Sequence, residues 1–344
     1  MKKITNSCLF IATIICLITG CQTPKLQLKQ EDFTIELGNP IQKQVQYYIN
    51  TENLSEKQIQ DILLNAKLTI DSQDKDLIHK YNLSYEKVGT YHAIITYYKQ
   101  TLEFDIIVKD TRSPTISGTT FDDLKIIDYN DIEEISIEGD RVYVQDVVGN
   151  EAYKTMNQPF AEKVYLDVPY YNQIENNAPN GCETTSLYMA LKYKNKIDTD
   201  LQSFIKNEPY DKNPYYGFAG NPFQKAQKKD DYYTIFPTPL AQYGSQYTPC
   251  FDISYSSLTD IKYYLSQDDP VIVWATGYFK DPCMKTLYFG EVTSNLHIVL
   301  ICGYDDDQEV FYIKDPAVED LTEISYEQFD KVYNSMKFAV VVSK

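Results

Sequence analysis

Alternating apolar and polar residues dominate the N-terminal part of the chain, a period of two that is typical of strands with one buried face. The strictest run places apolar side chains at alternate positions: Leu102, Phe104, Ile106 and Val108. Together with the β-prone run 91–98 and the bend at 99–100, it predicts a hairpin. Shorter β-like runs predict further strands over 33–37, 45–49, 68–70 and 141–147.

Other segments carry apolar residues at the 3.6-residue period of a helix. They are 55–65, 182–194, 256–265 and 325–333. Ser55 and Gln58 form a potential capping box at the start of the first. Apolar runs predict strands over 270–275, 295–304, 310–314 and 338–342. Helices followed by a mostly antiparallel sheet predict an α+β domain over 163–344.

Residues 207–249 separate two of these helical segments and are rich in proline, tyrosine, glycine and asparagine. This composition is typical of a loop. A loop of this length favours a functional surface over a simple connector. The segment could line a cleft or could be a generic surface loop, and the sequence leaves both interpretations open.

The composition is globular but acidic. The 344 residues carry a formal net charge of −17, and 31 of them are tyrosine. A surplus of acid this large argues against nucleic acid as a partner and against electrostatic adhesion to an anionic membrane. A solvated acidic surface accounts for most of these charges, while the tyrosines suit β-rich surfaces.

The N-terminus has the layout of an export segment. Lys2 and Lys3 precede an apolar run over 8–18 that is too short to span a membrane. The following Ile18-Thr19-Gly20-Cys21 resembles a bacterial lipobox. The resemblance implies a signal peptide over 1–20, a lipid on the Cys21 sulfur, and a polar tether over 21–32. We therefore expect an extracytoplasmic protein held at the membrane by lipid; the alternative is an ordinary signal peptide with an incidental cysteine.

Two short stretches resemble the closing strands of bacterial immunoglobulin-like surface modules. They are 88–91, before the hairpin, and 109–114, after it. The resemblance implies a β-sandwich spacer over 33–112 without chemistry of its own. Asp146 to Asn150 resembles a turn found late in the same kind of repeat. Because 113–162 is small for an independent sandwich, we interpret it as a short β module or a structured linker.

The candidate nucleophile is Cys182, at the start of a predicted helix. Ala178 to Gly181 before it is turn chemistry that a helix cannot continue through. The positive end of the helix dipole favours thiolate over thiol at this position, and the thiolate is the reactive form. The alternative is a buried structural cysteine, which is what most free cysteines are.

Two predicted strands supply the partners that such a cysteine needs. His297 lies near the start of one strand, and Asp315 follows the end of the next. The turn at 305–308 makes the strands a hairpin, so these two residues should be neighbours. Cysteine, histidine and an acid form the set that a thiol hydrolase uses. His297 is also the only histidine after residue 92.

Six short motifs occur in an order that resembles the C-39-like cysteine peptidases. They are 168–173, 181–186, 217–220, 270–274, His297 with 303–305, and 315–316. The resemblance covers about 163–344 and implies a papain-like fold. It implies that Cys182 is the nucleophile, His297 the general base and Asp315 the orienting acid. It also implies that the Gln173 amide helps to bind the oxyanion, where the backbone N–H of Cys182 can be a second donor.

These observations predict a lipid-anchored extracytoplasmic cysteine peptidase that acts on peptide or amide bonds through a thioester. The acyl group could also pass to an amine, which would make the reaction a transpeptidation. A non-catalytic binding or adhesion protein that reuses the fold is the alternative. We expect no metal or organic cofactor, because His297 alone cannot build a zinc site and the chain has no Cys-x-x-Cys. A Cys250–Cys283 disulfide is left open, and Cys302 is expected to be buried.

Overall fold

The computed structural model describes residues 23–72, 87–225, 231–318 and 321–343. The predicted signal peptide, the lipobox cysteine Cys21 and His79 lie outside these residues. Within them, none of the helices combines the length and the apolar character that a membrane span requires.

The N-terminal region contains one four-stranded sheet in the order β1-β4-β3-β2. Its elements are β1 Phe33–Glu36, α1 Glu56–Asn65, β2 Lys67–Ser72, β3 Gly89–Tyr97 and β4 Gln100–Lys109. The predicted hairpin is confirmed, as is the Ser55–Gln58 capping box of α1. Ile62 of α1 is buried in the same core as the inward-facing strand residues. Because the described residues form a single sheet, an immunoglobulin sandwich is not confirmed.

Two local predictions in this region differ from the structure. The strand expected over 45–49 is instead a 3₁₀ turn, Val45–Tyr47, because its apolar residues turn into the core and Tyr48 and Ile49 are fully buried. Residues of the expected tether also pack. Leu26 is buried, and Leu28 forms a β-bridge with Ile49.

The middle region is a set of short strands around a small core. They are β5 Thr115–Ser117, β6 Lys125–Ile127, β7 Ile132–Glu138, β8 Arg141–Asp146 and β9 Glu151–Thr155. A buried ion pair ties this region to the C-terminal region, with 2.6 Å between Lys154 Nζ and Asp260 Oδ1. Ser117 Oγ donates to the second oxygen of the same carboxylate at 2.7 Å. This fully buried carboxylate therefore fixes the middle region against the C-terminal one.

The C-terminal region is the predicted α+β domain, built on a seven-stranded sheet in the order β11-β18-β12-β15-β16-β17, with β10 paired to β15. The strands of the sheet are β10 Lys163–Tyr165, β11 Cys250–Asp252, β12 Val271–Thr276, β15 Leu296–Asp305, β16 Val310–Lys314, β17 Leu321–Ser325 and β18 Ala339–Val342. The region also contains the separate hairpin of β13 Met284–Leu287 and β14 Gly290–Thr293. Its helices are α2 Cys182–Tyr193, α3 Leu201–Lys206, α4 Pro237–Gly244, α5 Leu258–Ser266 and α6 Tyr326–Tyr333. Helix α2 packs on β15, the central strand.

The interval 207–249 is not the continuous loop that its composition predicts. It contains α4, whose first residue is Pro237. Proline is tolerated in the first turn of a helix, where its missing N–H would have no partner in the helix anyway. Leu240 and Ala241 of α4 are buried in the main core, so tertiary packing decides the conformation here. The hairpin β13–β14 was likewise not predicted.

Candidate active site

Helix α2 begins at Cys182 because of the residues just before it. Pro179 and Gly181 form the preceding turn, and Gly181 is the N-cap residue. A Cβ atom at Gly181 would lie 2.9 Å from the Cβ of Ala178, so a larger residue would push the turn apart. Residues 183–191 of the helix are buried, whereas Cys182 is partly exposed. The thiol is thus presented at the positive end of a helix fixed in the core.

His297 and Asp315 form the predicted pair. Strands β15 and β16 are antiparallel, and His297 Nε2 lies 2.7 Å from Asp315 Oδ1. The same oxygen accepts the backbone N–H of Ala317 at 2.8 Å, which fixes the carboxylate. The prediction that the hairpin makes these residues neighbours is confirmed. Since Nε2 is bound to the acid, Nδ1 is the nitrogen left for a second partner.

The Cys182 sulfur lies at the end of β15 that carries His297. The backbone N–H of Ile298, the next residue, lies near enough to lower the pKa of this thiol, and Asp315 lies near enough to raise it. Cysteine, histidine and acid are therefore brought to one place by α2, β15 and the end of β16. Their chemical roles remain a prediction.

A buried acid beside the cysteine was missed as part of the site. Glu183 is 1% exposed, and the Cys182 thiol donates to its Oε2 at 3.3 Å. Its Oε1 accepts from the Thr234 hydroxyl and from the Ile235 backbone N–H. Burial raises the pKa of Glu183. In the sequence, a glutamate in the first helical turn indicates only a favourable dipole contact, since nothing local reveals its burial.

The same environment opposes the expected thiolate. Burial of the sulfur and then the nearby Glu183 carboxyl raise the pKa of the Cys182 thiol well above its ordinary value. The Ile298 N–H acts in the other direction but does not outweigh them. At this sulfur, burial and the Glu183 carboxyl therefore oppose the effect of the helix dipole.

A second buried acid, Glu208, lies behind the first turn of α2. It is 3% exposed, and the Thr184 hydroxyl donates to its Oε2, while its Oε1 has no hydrogen-bond partner among the described residues. Burial raises its pKa well above the ordinary value, and the Glu183 charge acts in the same direction. Two buried acids this close disfavour one another's ionised form.

Gln173 forms hydrogen bonds to the turn before Cys182 and to the residue after Asp315. Its backbone N–H donates to the Pro316 carbonyl at 2.9 Å, and its side-chain Nε2 donates to the Pro179 carbonyl at 3.0 Å. The side chain is buried, and its Oε1 accepts no hydrogen bond from the part of the chain that the structure describes. An amide nitrogen carries two hydrogens, so one remains for another acceptor. Gln173 thus contacts both the turn before Cys182 and the residue after Asp315, and its oxyanion role stays a prediction.

Among the residues that the structure describes, the one group of three acidic side chains close enough together for a metal ion does not include Cys182, His297 or Asp315. Three carboxylates lie within 4.8 Å of one another, those of Asp110, Asp128 and Asp146, and all belong to the N-terminal and middle regions. The described cysteines are all free, so the structure does not form a Cys250–Cys283 disulfide. Cys302 is buried as expected, and burial raises its pKa to about 12.

Replacing Glu183 with glutamine should make Cys182 easier to ionise. The amide oxygen can still accept from Thr234 and Ile235, while the amide nitrogen becomes a donor to the sulfur in place of a carboxylate that accepts from it. We expect the pH profile of Cys182 alkylation by iodoacetamide to move down by about one pH unit. Mass spectrometry of the Cys182 peptide measures the rate.

The matched control for that change is E175Q, because Glu175 is exposed. It removes one carboxylate from the same part of the chain and should leave the alkylation profile in place. If the pH profile of Cys182 alkylation in E183Q is unchanged or moves to higher pH, Glu183 does not hold the thiol in its protonated form.

Comparison with known proteins locates the similarity in the same region. Residues 165–341 match the Peptidase_C39 like family, which is just over half of the chain. The chain is 28% identical over 253 residues to the uncharacterized protein YvpB of Bacillus subtilis, covering 67% of this chain and 95% of YvpB.

Two solved structures are also similar. A C39-like peptidase described as putative, from Bacillus anthracis, is 26% identical with a TM-score of 0.45, covering 54% of this chain and 98% of that one. Xylellain, a cysteine protease from Xylella fastidiosa, is 15% identical with a TM-score of 0.26, covering 54% of this chain and 87% of that one.

Proposed function

The chain belongs to the Peptidase_C39 like family, and from that premise we propose that it is a cysteine peptidase that forms a thioester on Cys182. The observation that carries the proposal is the His297–Asp315 pair, with 2.7 Å between Nε2 and Oδ1. The next residue of the same strand, Ile298, has its backbone N–H near enough to the Cys182 sulfur to lower the pKa of the thiol. This geometry supplies a nucleophile, a base and an orienting acid in one place.

In the proposed reaction, His297 removes the Cys182 proton while the sulfur attacks the substrate carbonyl carbon. The C=O bond becomes an oxyanion, for which the Cys182 backbone N–H and the Gln173 amide are the candidate donors. Asp315 stabilises the imidazolium and holds the ring with Nε2 toward itself. The C–N bond then breaks, and the leaving amine takes the proton from His297. Water, deprotonated by His297, finally hydrolyses the thioester and restores the thiol.

Glu183 sets the resting state in this scheme. It holds the thiol hydrogen and raises the pKa of the thiol, so the free site is uncharged at sulfur until the hydrogen passes to His297. An uncharged thiol is less readily alkylated or oxidised than a thiolate. The proposal therefore assigns the activation step to His297 rather than to the helix dipole.

The proposal is tested with the purified full chain and a library of internally quenched peptides. Hydrolysis should be accompanied by an acyl adduct on Cys182, detected by mass spectrometry after rapid acid quenching. If added amines intercept that adduct to give new amides, the same site is a transpeptidase. If no peptide is cleaved and no adduct forms, the alternative of a non-catalytic binding protein gains support.

We further propose that the protein is extracytoplasmic and lipid-anchored through Cys21. The support is the sequence alone: a basic start, a short apolar run, and the lipobox-like residues 18–21. In a bacterial host fed radiolabelled palmitate, the wild-type chain should incorporate label and C21S should not. C16S, which changes a cysteine within the apolar run, is the matched control and should keep the label. Equal labelling of wild type and C21S would refute the anchor.

A further inference from the structure

A cavity of about 560 Å³ lies where the N-terminal region meets the C-terminal region, and we call it the junction cavity. One wall is N-terminal and consists of residues 29–30 and 50–52. The opposite walls belong to the C-terminal region: the loop at 219–220, the segment 231–233, and 286–289 in the β13–β14 hairpin. Both regions are therefore needed to form it.

Two walls of the junction cavity lead along the chain to residues that contact Glu183 and the turn before Cys182. The segment 231–233 leads directly to Thr234 and Ile235, which bind the Glu183 carboxylate that accepts the thiol hydrogen. Beyond Gly220, the carbonyl of Pro222 accepts the backbone N–H of Asn180, in the turn before Cys182. Burial raises the pKa of Tyr232 well above its ordinary value, and the nearby Glu183 and Cys182 act in the same direction.

The third wall continues into the histidine strand. Tyr232 Oη donates to the Thr293 carbonyl at 3.0 Å, which joins segment 231–233 to the β13–β14 hairpin. That hairpin runs directly into β15, on which His297 lies. The junction cavity is thus bounded by extensions of the elements that carry both the cysteine and the histidine.

The N-terminal wall is held by specific contacts rather than by loose proximity. Asn213 Nδ2 donates to the Thr34 carbonyl at 2.7 Å, and Asn39 Nδ2 donates to the Tyr215 hydroxyl at 3.0 Å. The rings of Phe33 and Tyr288 meet edge-to-face with their centroids 5.4 Å apart. These contacts cross between the two regions at the start of the N-terminal sheet.

The lining favours a large apolar group in a peptide. Tyr232, Tyr233 and Tyr288 are partly exposed, and Phe289 backs them from the core. Side chains of both charge signs also line the cavity, including Lys212 and Asp231, so its charge selects neither cations nor anions. Aromatic rings offer large apolar contact area, while the peptide backbone can use the polar groups.

We propose that the junction cavity is a substrate subsite that takes an aromatic or large aliphatic side chain of the peptide, with the N-terminal region as one wall. This inference rests on the proposed peptidase function. It gives the N-terminal region a part in substrate selection, which a spacer would not have.

The test fills the cavity from its N-terminal wall with T51W in the full chain. T101W, on an exposed position of β4 away from the cavity, is the matched control. Wild type, T51W and T101W are compared on quenched peptides in which each position is varied in turn among Gly, Asp, Lys, Leu and Phe. Alkylation of Cys182 by iodoacetamide, in these proteins and in H297A, reports the nucleophile separately.

At one position, wild type and T101W should prefer Leu or Phe over Gly by about tenfold or more in kcat/KM. In T51W that preference should disappear, mainly through KM, while Cys182 is still alkylated at the wild-type rate. No apolar preference in wild type, or the same preference in T51W, would overturn the subsite alone. A wild type that cleaves no peptide would also overturn the proposed subsite. If Cys182 is alkylated at the same rate in wild type and in H297A, that result would instead count against the proposed function.

Discussion

Replacing Cys182 with alanine is expected to abolish peptide hydrolysis, with kcat/KM falling by at least about 10⁴-fold. Without the sulfur no thioester can form, and water would have to attack the carbonyl directly. The change removes a small side chain at the start of a helix whose residues 183–191 are buried, so the fold should persist. Initial rates on the best library peptide measure the loss, and circular dichroism checks the fold.

The matched control is C283A, since Cys283 is also free but exposed and takes no part in the site. C283A should hydrolyse peptides at the wild-type rate. The acyl adduct seen by mass spectrometry should be absent in C182A and present in C283A. Hydrolysis that survives in folded C182A would show that another group is the nucleophile and would refute the proposed mechanism.

Replacing His297 with alanine should lower kcat/KM by about 10³-fold, because the thiol, whose pKa is raised by burial and by Glu183, then has no positioned base. The effect should fall on kcat and should be accompanied by slower alkylation of Cys182. Loss of the fold is the competing explanation, and unchanged circular dichroism excludes it.

The substitutions at Asp315 separate orientation from charge. In D315N the amide oxygen can still accept from His297 Nε2 and from the Ala317 N–H, so activity should stay within about tenfold of wild type. In D315A the ring loses its anchor, and kcat/KM should fall by about 10²-fold. Equal losses in D315N and D315A would show that the negative charge is what matters.

His92 provides the control for both positions. It forms a similar pair, with Nδ1 3.1 Å from Asp105 Oδ1, but on the exposed face of the N-terminal hairpin and far along the chain from any cysteine. H92A should leave hydrolysis and Cys182 alkylation unchanged. A loss in H92A as large as that in H297A would mean that the assays report general stability rather than the site.

Local sequence features predicted what depends on near neighbours. The Ser55–Gln58 capping box was predictable, because a capping side chain acts on a backbone N–H only a few residues away. The alternation at 102–108 likewise identified a strand whose buried face follows directly from the period. The His297–Asp315 pair belongs to the same class, since a short turn and two strands suffice to make them neighbours.

Features that depend on distant segments were not predictable in this way. Glu183 is buried by Thr234 and Ile235, which come from a stretch whose composition indicated only a loop. Helix α4 in that stretch forms because its apolar side chains pack in the core, which outweighs a proline-rich composition. The junction cavity needs residues from both ends of the chain.

The sequence by itself determined helix α2 and the strands β12, β15, β16 and β18 of the C-terminal region, the helix start at Cys182 and the pairing of His297 with Asp315. Only the tertiary structure decided the raised pKa of the Cys182 thiol, the burial of Glu183 and Glu208, and the junction cavity. The physical reason is the separation along the chain over which each interaction acts. Period, capping and turn geometry act over a few residues, whereas removal of a charged group from water depends on every segment that packs around it.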